Sequence, residues 1–329
     1  MRNLTLLLTL CSLMSHAQEV SRINNSSIAF TLPEKDLLPE SIAYDPQEQA
    51  FYISSTRKGK VVKVDSGGNT YDFITSKQDG LWMTIGIKID AQRRILWVCS
   101  SGGDNLIGYD LKDESDGRPA GIFKFDLSTG KLIQRFTFEQ KGEIHFINDL
   151  AINKQNGDIY FTHMFSDHAI YKIGWNGKPE LFITDNNMPY PNGITIKGDQ
   201  SIFVAHDNGI SKVDLQTKEI INLKVPEGQD ITGRKSIDGL YYYKWKLIGV
   251  HPGSSTVSKM PLNDTGDGLE KVDILEQNHP IMMNPTTGVL VHNEFYYISN
   301  AQFGSFYEDG SLWPKERLYE PVILKVTID

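Results

Sequence analysis

One phrase recurs along the chain and limits what it can fold into. A polar residue opens a short apolar run, a tight turn follows, and a second apolar run returns. Ser236-Ile237-Asp238-Gly239-Leu240 leads into the apolar run Lys246 to His251. Asn148-Asp149-Leu150-Ala151-Ile152 precedes Gly157 to Thr162, and Pro191-Asn192-Gly193-Ile194-Thr195 precedes Gln200 to Ala205. Glu40-Ser41-Ile42-Ala43-Tyr44 precedes Gln49 to Ser54. Apolar runs of this length, rich in Val, Ile, Tyr and Phe and punctuated by Asn-Gly, Asp-Gly and Thr-Gly, are strands joined by hairpin turns. No convincing helical period runs through the chain after residue 17.

The lead residue falls at Glu40, near Ile85, and at Asn148, Asn192, Asp238 and Thr286 or Thr287. The later steps are 44, 46 and 48 residues, the repeat length of a four-stranded propeller blade. The step from 85 to 148 is 63, and its excess lies in the Gly-, Asp- and Asn-rich segment 102–118, a predicted loop. Six units follow, the last with three strands (Gly288–Val291, Phe295–Ser299 and Val322–Thr327). The leading run Ser27–Leu32 supplies its fourth. The expectation is an all-β, six-bladed β-propeller over 18–329 whose ring is closed by the N-terminal strand, which leaves no unpaired edge.

Residues 1–17 read as a signal peptide, with a short basic start at Arg2, an apolar stretch from Leu4 to Met14, and Ser15-His16-Ala17 before the cut. Its loss takes away one base and no acid, so the net charge moves from −8 to −9, and Cys99 becomes the only cysteine. Cys99 sits in the apolar run Ile95-Leu-Trp-Val-Cys99 and is expected to be an inert packed thiol. An acidic chain with no basic run is not expected to bind nucleic acid or a membrane. The expected protein is exported to the periplasm or secreted, is a monomer, and takes a small-molecule substrate.

In a propeller the first strand of each blade lines the central channel, so residues in one phase at its start share one height. Glu40, Asn148, Asn192 and Asp238 hold that phase in blades 1, 3, 4 and 5. Two carboxylates and two amide oxygens are hard donors that suit Ca²⁺ and do not suit zinc. Any one of them alone could be an ordinary turn residue before glycine. Four together point to a metal, with another divalent cation as the alternative occupant.

These motifs, Pro39-Glu40-Ser41, Asn148-Asp149-Leu150, Pro191-Asn192-Gly193 and Asp238-Gly239, resemble the calcium site of the senescence marker protein / gluconolactonase family. Its relatives include hydrolases like paraoxonase and diisopropyl-fluorophosphatase. The resemblance implies a Ca²⁺-dependent hydrolase of lactones, esters or organophosphates, with Asp238 in the catalytic position. It departs at Ile144-His145-Phe146-Ile147, where the family's gluconolactonases usually carry an Arg. That departure weighs against a sugar-acid lactone.

Asp238 is expected to act as base or nucleophile, with His251 and His145 as further candidate bases or proton donors. Thr286 and Thr287 are expected to line the pocket beside Asn148 and Asn192, with Thr287 counted as substrate-binding. Asp149 is expected to hydrogen-bond locally or to touch water beneath the metal. His163, His168, His206 and His292 are expected to be ordinary structural or surface residues. Two other readings stay open: a non-catalytic binding propeller with a structural calcium, and a related lyase or synthase.

Overall fold

The computed structural model describes residues 21–109, 117–175 and 177–329. The expected signal peptide lies outside the described residues, as does part of the loop expected at 102–118. The chain opens with β1 (Ser27–Thr31). Blade 1 is Pro39–Asp45, Ala50–Ser55, Lys60–Val64 and Thr70–Ile74 (β2–β5). Blade 2 is Met83–Asp90, Ile95–Ser101, Ala120–Asp126 and Leu132–Phe138 (β6–β9). Blade 3 is Ile147–Ile152, Ile159–His163, Ala169–Ile173 and Pro179–Thr184 (β10–β13). Blade 4 is Ile194–Lys197, Ser201–His206, Gly209–Asp214 and Ile220–Asn222 (β14–β17). Blade 5 is Leu240–Tyr243, Lys246–His251, Thr256–Pro261 and Asp273–Gln277 (β18–β21). Blade 6 is Gly288–Val291, Glu294–Ile298 and Val322–Thr327 (β22–β24) with β1 as its outer strand.

Every sheet is four-stranded and antiparallel, and five of them are simple meanders. In the sixth, β1 pairs with β24, Ser27 opposite Lys325 and Thr31 opposite Val322. The chain's first strand therefore completes its last blade. Helical structure among the described residues is limited to short 3-10 turns.

The core explains why the blades form a ring. Buried apolar side chains fall into six clusters, each filling the space between two neighbouring blades. Tyr52 and Val61 of blade 1 meet Leu96 and Phe123 of blade 2, and Trp97 and Cys99 of blade 2 meet Leu150 and Phe161 of blade 3. Tyr160 meets Ile202 between blades 3 and 4, and Phe203 meets Leu247 between blades 4 and 5. Ile248 meets Phe295 between blades 5 and 6. Ile298 and Ile323 of blade 6 then meet Ile42 and Ile53 of blade 1, closing the circle. At about 1.5–3 kcal/mol for each fully buried aliphatic or aromatic side chain, each interface is a substantial store of stability. Both faces of each sheet are covered, so its inner strands read as near-continuous apolar runs. Cys99 lies buried and unpaired in one of these clusters, as expected.

Candidate functional site

The lead residue of every blade sits on a β-bulge. Glu40 and Ser41 together oppose Ser54, because the register jumps between Pro39 and Ile42. Ile85 and Gly86 oppose Cys99, and Asn148 and Asp149 oppose Thr162. In blade 4, Asn192 N–H donates to Ala205 O (2.8 Å) and Ala205 N–H donates to Gly193 O (2.8 Å). Asp238-Gly239 straddle Val250 in the same way (2.9 and 2.9 Å), and Thr286-Thr287 straddle Ile298 (3.3 and 3.0 Å). A bulge places two residues against one and re-aims a side chain. Here it brings Glu40, Asn148, Asn192 and Asp238 together, Ile85 packs in the core between blades 2 and 3, and Thr286 is the blade-6 member.

The glycine that follows the lead residue has a packing role. A Cβ on Gly193 would lie 2.1 Å from the Asp238 carbonyl oxygen, and one on Gly86 would lie 2.4 Å from that of Asn148. In blades 2 and 4 the inner strand thus approaches its neighbour closely only because the second bulge residue lacks a side chain. Asn-Gly and Asp-Gly here do not form hairpin turns.

At the mouth so built, Asn148 Nδ2–H donates to Asn192 Oδ1, and Asn192 in turn hydrogen-bonds the Asp238 carboxylate. Glu40 is buried, and its Oε2 has no hydrogen-bond partner. Burial pushes the Glu40 pKa well up, and the charges of Asp238 and Asp149 add to the effect against Lys88. Burial likewise raises Asp238 to about 6, opposed by the hydrogen bond from Asn192 and reinforced by Asp149. Part of Asp238 stays open to solvent. Asn192 reaches a cavity of about 260 Å³ walled by Met164, Phe165, Tyr190 and Ile237.

Beneath this mouth is an ion pair not foreseen in the sequence analysis. Lys88 Nζ stands 2.6 Å from Asp149 Oδ1 and 5.6 Å from the centre of the Tyr241 ring. Burial works against the Lys88 charge, but Asp149 outweighs it and raises its pKa. Asp149 is thus bound to a cation of the chain itself. Three carboxylates and one ammonium share the channel, and one carboxylate oxygen remains orphaned.

An orphaned, buried oxygen among hard donors fits a divalent cation held by Glu40, Asn148, Asn192 and Asp238. Among the described residues no group of three or more His, Cys, Asp or Glu side chains is placed to hold a metal. Two of the four donors would therefore have to be the amide oxygens of Asn148 and Asn192.

Three expected site residues take other places. Thr287 does not offer its hydroxyl to a ligand. Thr286 and Thr287 are both buried and each donates to the Glu40 carbonyl oxygen (2.8 Å), so together they fix the backbone of that residue. His251 is not available as a base. Its Nδ1–H donates to Lys235 O (2.6 Å), its Nε2 bonds the Ser258 hydroxyl (2.7 Å), and burial lowers its pKa to about 4. His145 lies in a different cavity, over blade 3, with His163.

The residues 38–241 match the model of the SMP-30/gluconolactonase/LRE-like region. The chain belongs to that family. No curated protein matches the chain in sequence. In structure it is similar to a gluconolactonase from Xanthomonas campestris, at 13% identity over 93% of this chain and 96% of the other, with a TM-score of 0.60. It is similar to the calcium-binding protein regucalcin from Agrobacterium tumefaciens (13% identity, 92% and 94% covered, TM-score 0.58). A virginiamycin B lyase from Staphylococcus aureus is also similar (12% identity, 91% and 98% covered, TM-score 0.56). At these identities the likeness bears on the fold.

Proposed function

We propose that this chain is a Ca²⁺-dependent hydrolase of a small lactone or ester, acting at the channel mouth. The observation that carries the reading is the buried, partnerless Glu40 Oε2 beside Asp238 and two amides. Membership of a family that includes gluconolactonases, and likeness to a calcium-binding neighbour, support it. When bound, the cation would polarise the substrate carbonyl and steady the charge that develops on its oxygen.

The chain's own residues supply the rest. Asp238 keeps an open face and a carboxyl held near neutrality, and acts as base or nucleophile. Asn192 orients it by a hydrogen bond. Lys88 and Asp149 form a fixed pair below, and Thr286 and Thr287 anchor Glu40. The cavity beside Asn192, lined by Met164, Phe165, Tyr190 and Ile237 and also by His206, Asp207 and Ser236, takes the body of the substrate. We also propose that the protein is exported and works as a monomer.

A second reading, a binding propeller that keeps the cation for stability, is favoured by the withdrawal of His251 from the site. A screen of lactones, aryl esters and phosphotriesters with the calcium-loaded protein decides between them. Turnover that Asp238→Ala lowers by two to four orders of magnitude, the usual weight of a positioned acid or base, is expected. No turnover of any of these by the wild type would leave the binding reading.

A further inference from the structure

Blade 3 carries a chain of titratable groups that the channel mouth does not use. His163 Nδ1–H donates to Asp167 Oδ1 (2.5 Å), and Tyr171 O–H donates to Asp167 Oδ2 (2.6 Å). Burial works to raise the Asp167 pKa, but these two hydrogen bonds prevail and hold the carboxyl below its usual range. With the His163 proton committed to Asp167, its Nε2 is an acceptor. His145 Nδ1 stands 3.0 Å from it, and with His163 neutral this order of protons has His145 Nδ1–H donating. One atom is left over at the end of the chain: His145 Nε2, a bare lone pair.

That atom is buried and has no hydrogen-bond partner, and His145 itself is only 3% exposed. Glu143 Oε2 stands 3.4 Å from it on a side chain that is half exposed. A carboxylate and a bare lone pair repel, so Glu143 covers the nitrogen without satisfying it. The histidines edge a cavity of about 900 Å³ walled by Phe138, Phe165, Tyr171 and Tyr190. Phe165 and Tyr190 also wall the cavity that reaches Asn192, so the two spaces share a partition. Both nitrogens of His163 are taken up within this chain of groups.

We propose that this cavity is a second binding site, separate from the channel mouth, for a small uncharged aromatic ligand carrying a hydroxyl. The hydroxyl donates to His145 Nε2 after Glu143 moves aside, and the ring packs against the four aromatic walls. Asp167 and His163 act as positioning residues that keep the lone pair on Nε2. Arg118 lines the same cavity as the carboxylates of Glu143 and Asp167, so the lining does not call for a strongly charged ligand.

Phenol and anisole are the probes, since anisole keeps the ring and lacks the donor. Ring ¹⁵N spectra of the free protein at pH 7 are expected to show His145 protonated at Nδ1 only. Phenol is expected to shift the His145 Nε2 resonance and to bind at least about fivefold more tightly than anisole, the worth of one hydrogen bond. His145→Phe removes that preference, and Asp167→Asn weakens it by releasing the tautomer. A proton on His145 Nε2 in the free protein, an unmoved His145 signal at saturating phenol, or equal affinity for the two probes would each overturn the site. The spectra of the wild type decide it even if a variant fails to fold, and no step requires calcium.

Discussion

The channel mouth and the blade-3 cavity bury titratable groups in opposite ways. At the mouth, carboxylates outnumber the cations of the chain, and Glu40 Oε2 is left with nothing to bind. In the cavity Tyr171, Asp167, His163 and His145 are joined one to the next, and the shortage is a single donor at His145 Nε2. The first arrangement asks for a metal charge, the second for a hydroxyl proton. Blades 4 and 5 supply the reference state. His163, His206 and His251 each end the second strand of their blade, and each faces the first residue of the third strand. Two places further on, blades 4 and 5 have Ser211 and Ser258, whose hydroxyls bond the ring. Blade 3 has Tyr171 there, whose longer side chain carries its hydroxyl past the ring to Asp167. One substitution in the repeat thus separates a self-contained histidine from one wired to a carboxylate and a second imidazole.

The largest test of this contrast is acid. Burial lowers both His206 and His251 to about 4 from a usual value of 6.5. Between those values the unfolded chain binds more protons than the folded one, so stability falls as pH drops from 6.5 to 4. Each contributes roughly 3 kcal/mol to that fall, at about 1.36 kcal/mol for each pKa unit. Chemical denaturation at several pH values is expected to show the slope in the wild type, and less of it in His251→Gln. An unchanged slope in that variant would mean that His251 is not held neutral in the fold.

Gly193→Ala is expected to cost about 1–3 kcal/mol, as overpacking does, because its Cβ would meet the Asp238 carbonyl oxygen. Thermal melting measures it, and a neutral outcome would show that the inner strands can separate. The smallest effect is expected from Glu40→Gln in a chelator. It replaces a buried, partnerless carboxyl by a neutral amide and leaves stability unchanged or raised by about 1 kcal/mol. A marked loss there would show that Glu40 is already satisfied by the chain.

Strands and blade count were legible in the sequence because each hairpin carries its own pattern of apolar runs and turns. Ser27–Leu32 was readable as the closing strand because one blade was a strand short, and that strand ends at Thr31. Glu40, Asn148, Asn192 and Asp238 were legible as a group through their shared phase, and each sits on a bulge. The bulge itself was not, since it is a hydrogen-bonding register between strands that leaves no mark in Glu40-Ser41, Asn148-Asp149 or Thr286-Thr287, and elsewhere only a Gly that reads equally well as a turn. Lys88 passed as ordinary alternation within Ile87-Lys88-Ile89. His251 and His163 occupy the same place in their blades, and only the partners at Ser258 and Tyr171, with Asp167 and His145, give them different chemistry. Such partners become neighbours only through folding.

Calorimetric titration of Ca²⁺ at pH 7 into the chelator-stripped wild type and into Asp238→Asn tests the central claim most directly. One site on each chain, lost or weakened at least tenfold in the variant, is the outcome that the four bulge residues require. No binding by the wild type, or equal binding by both proteins, would contradict it.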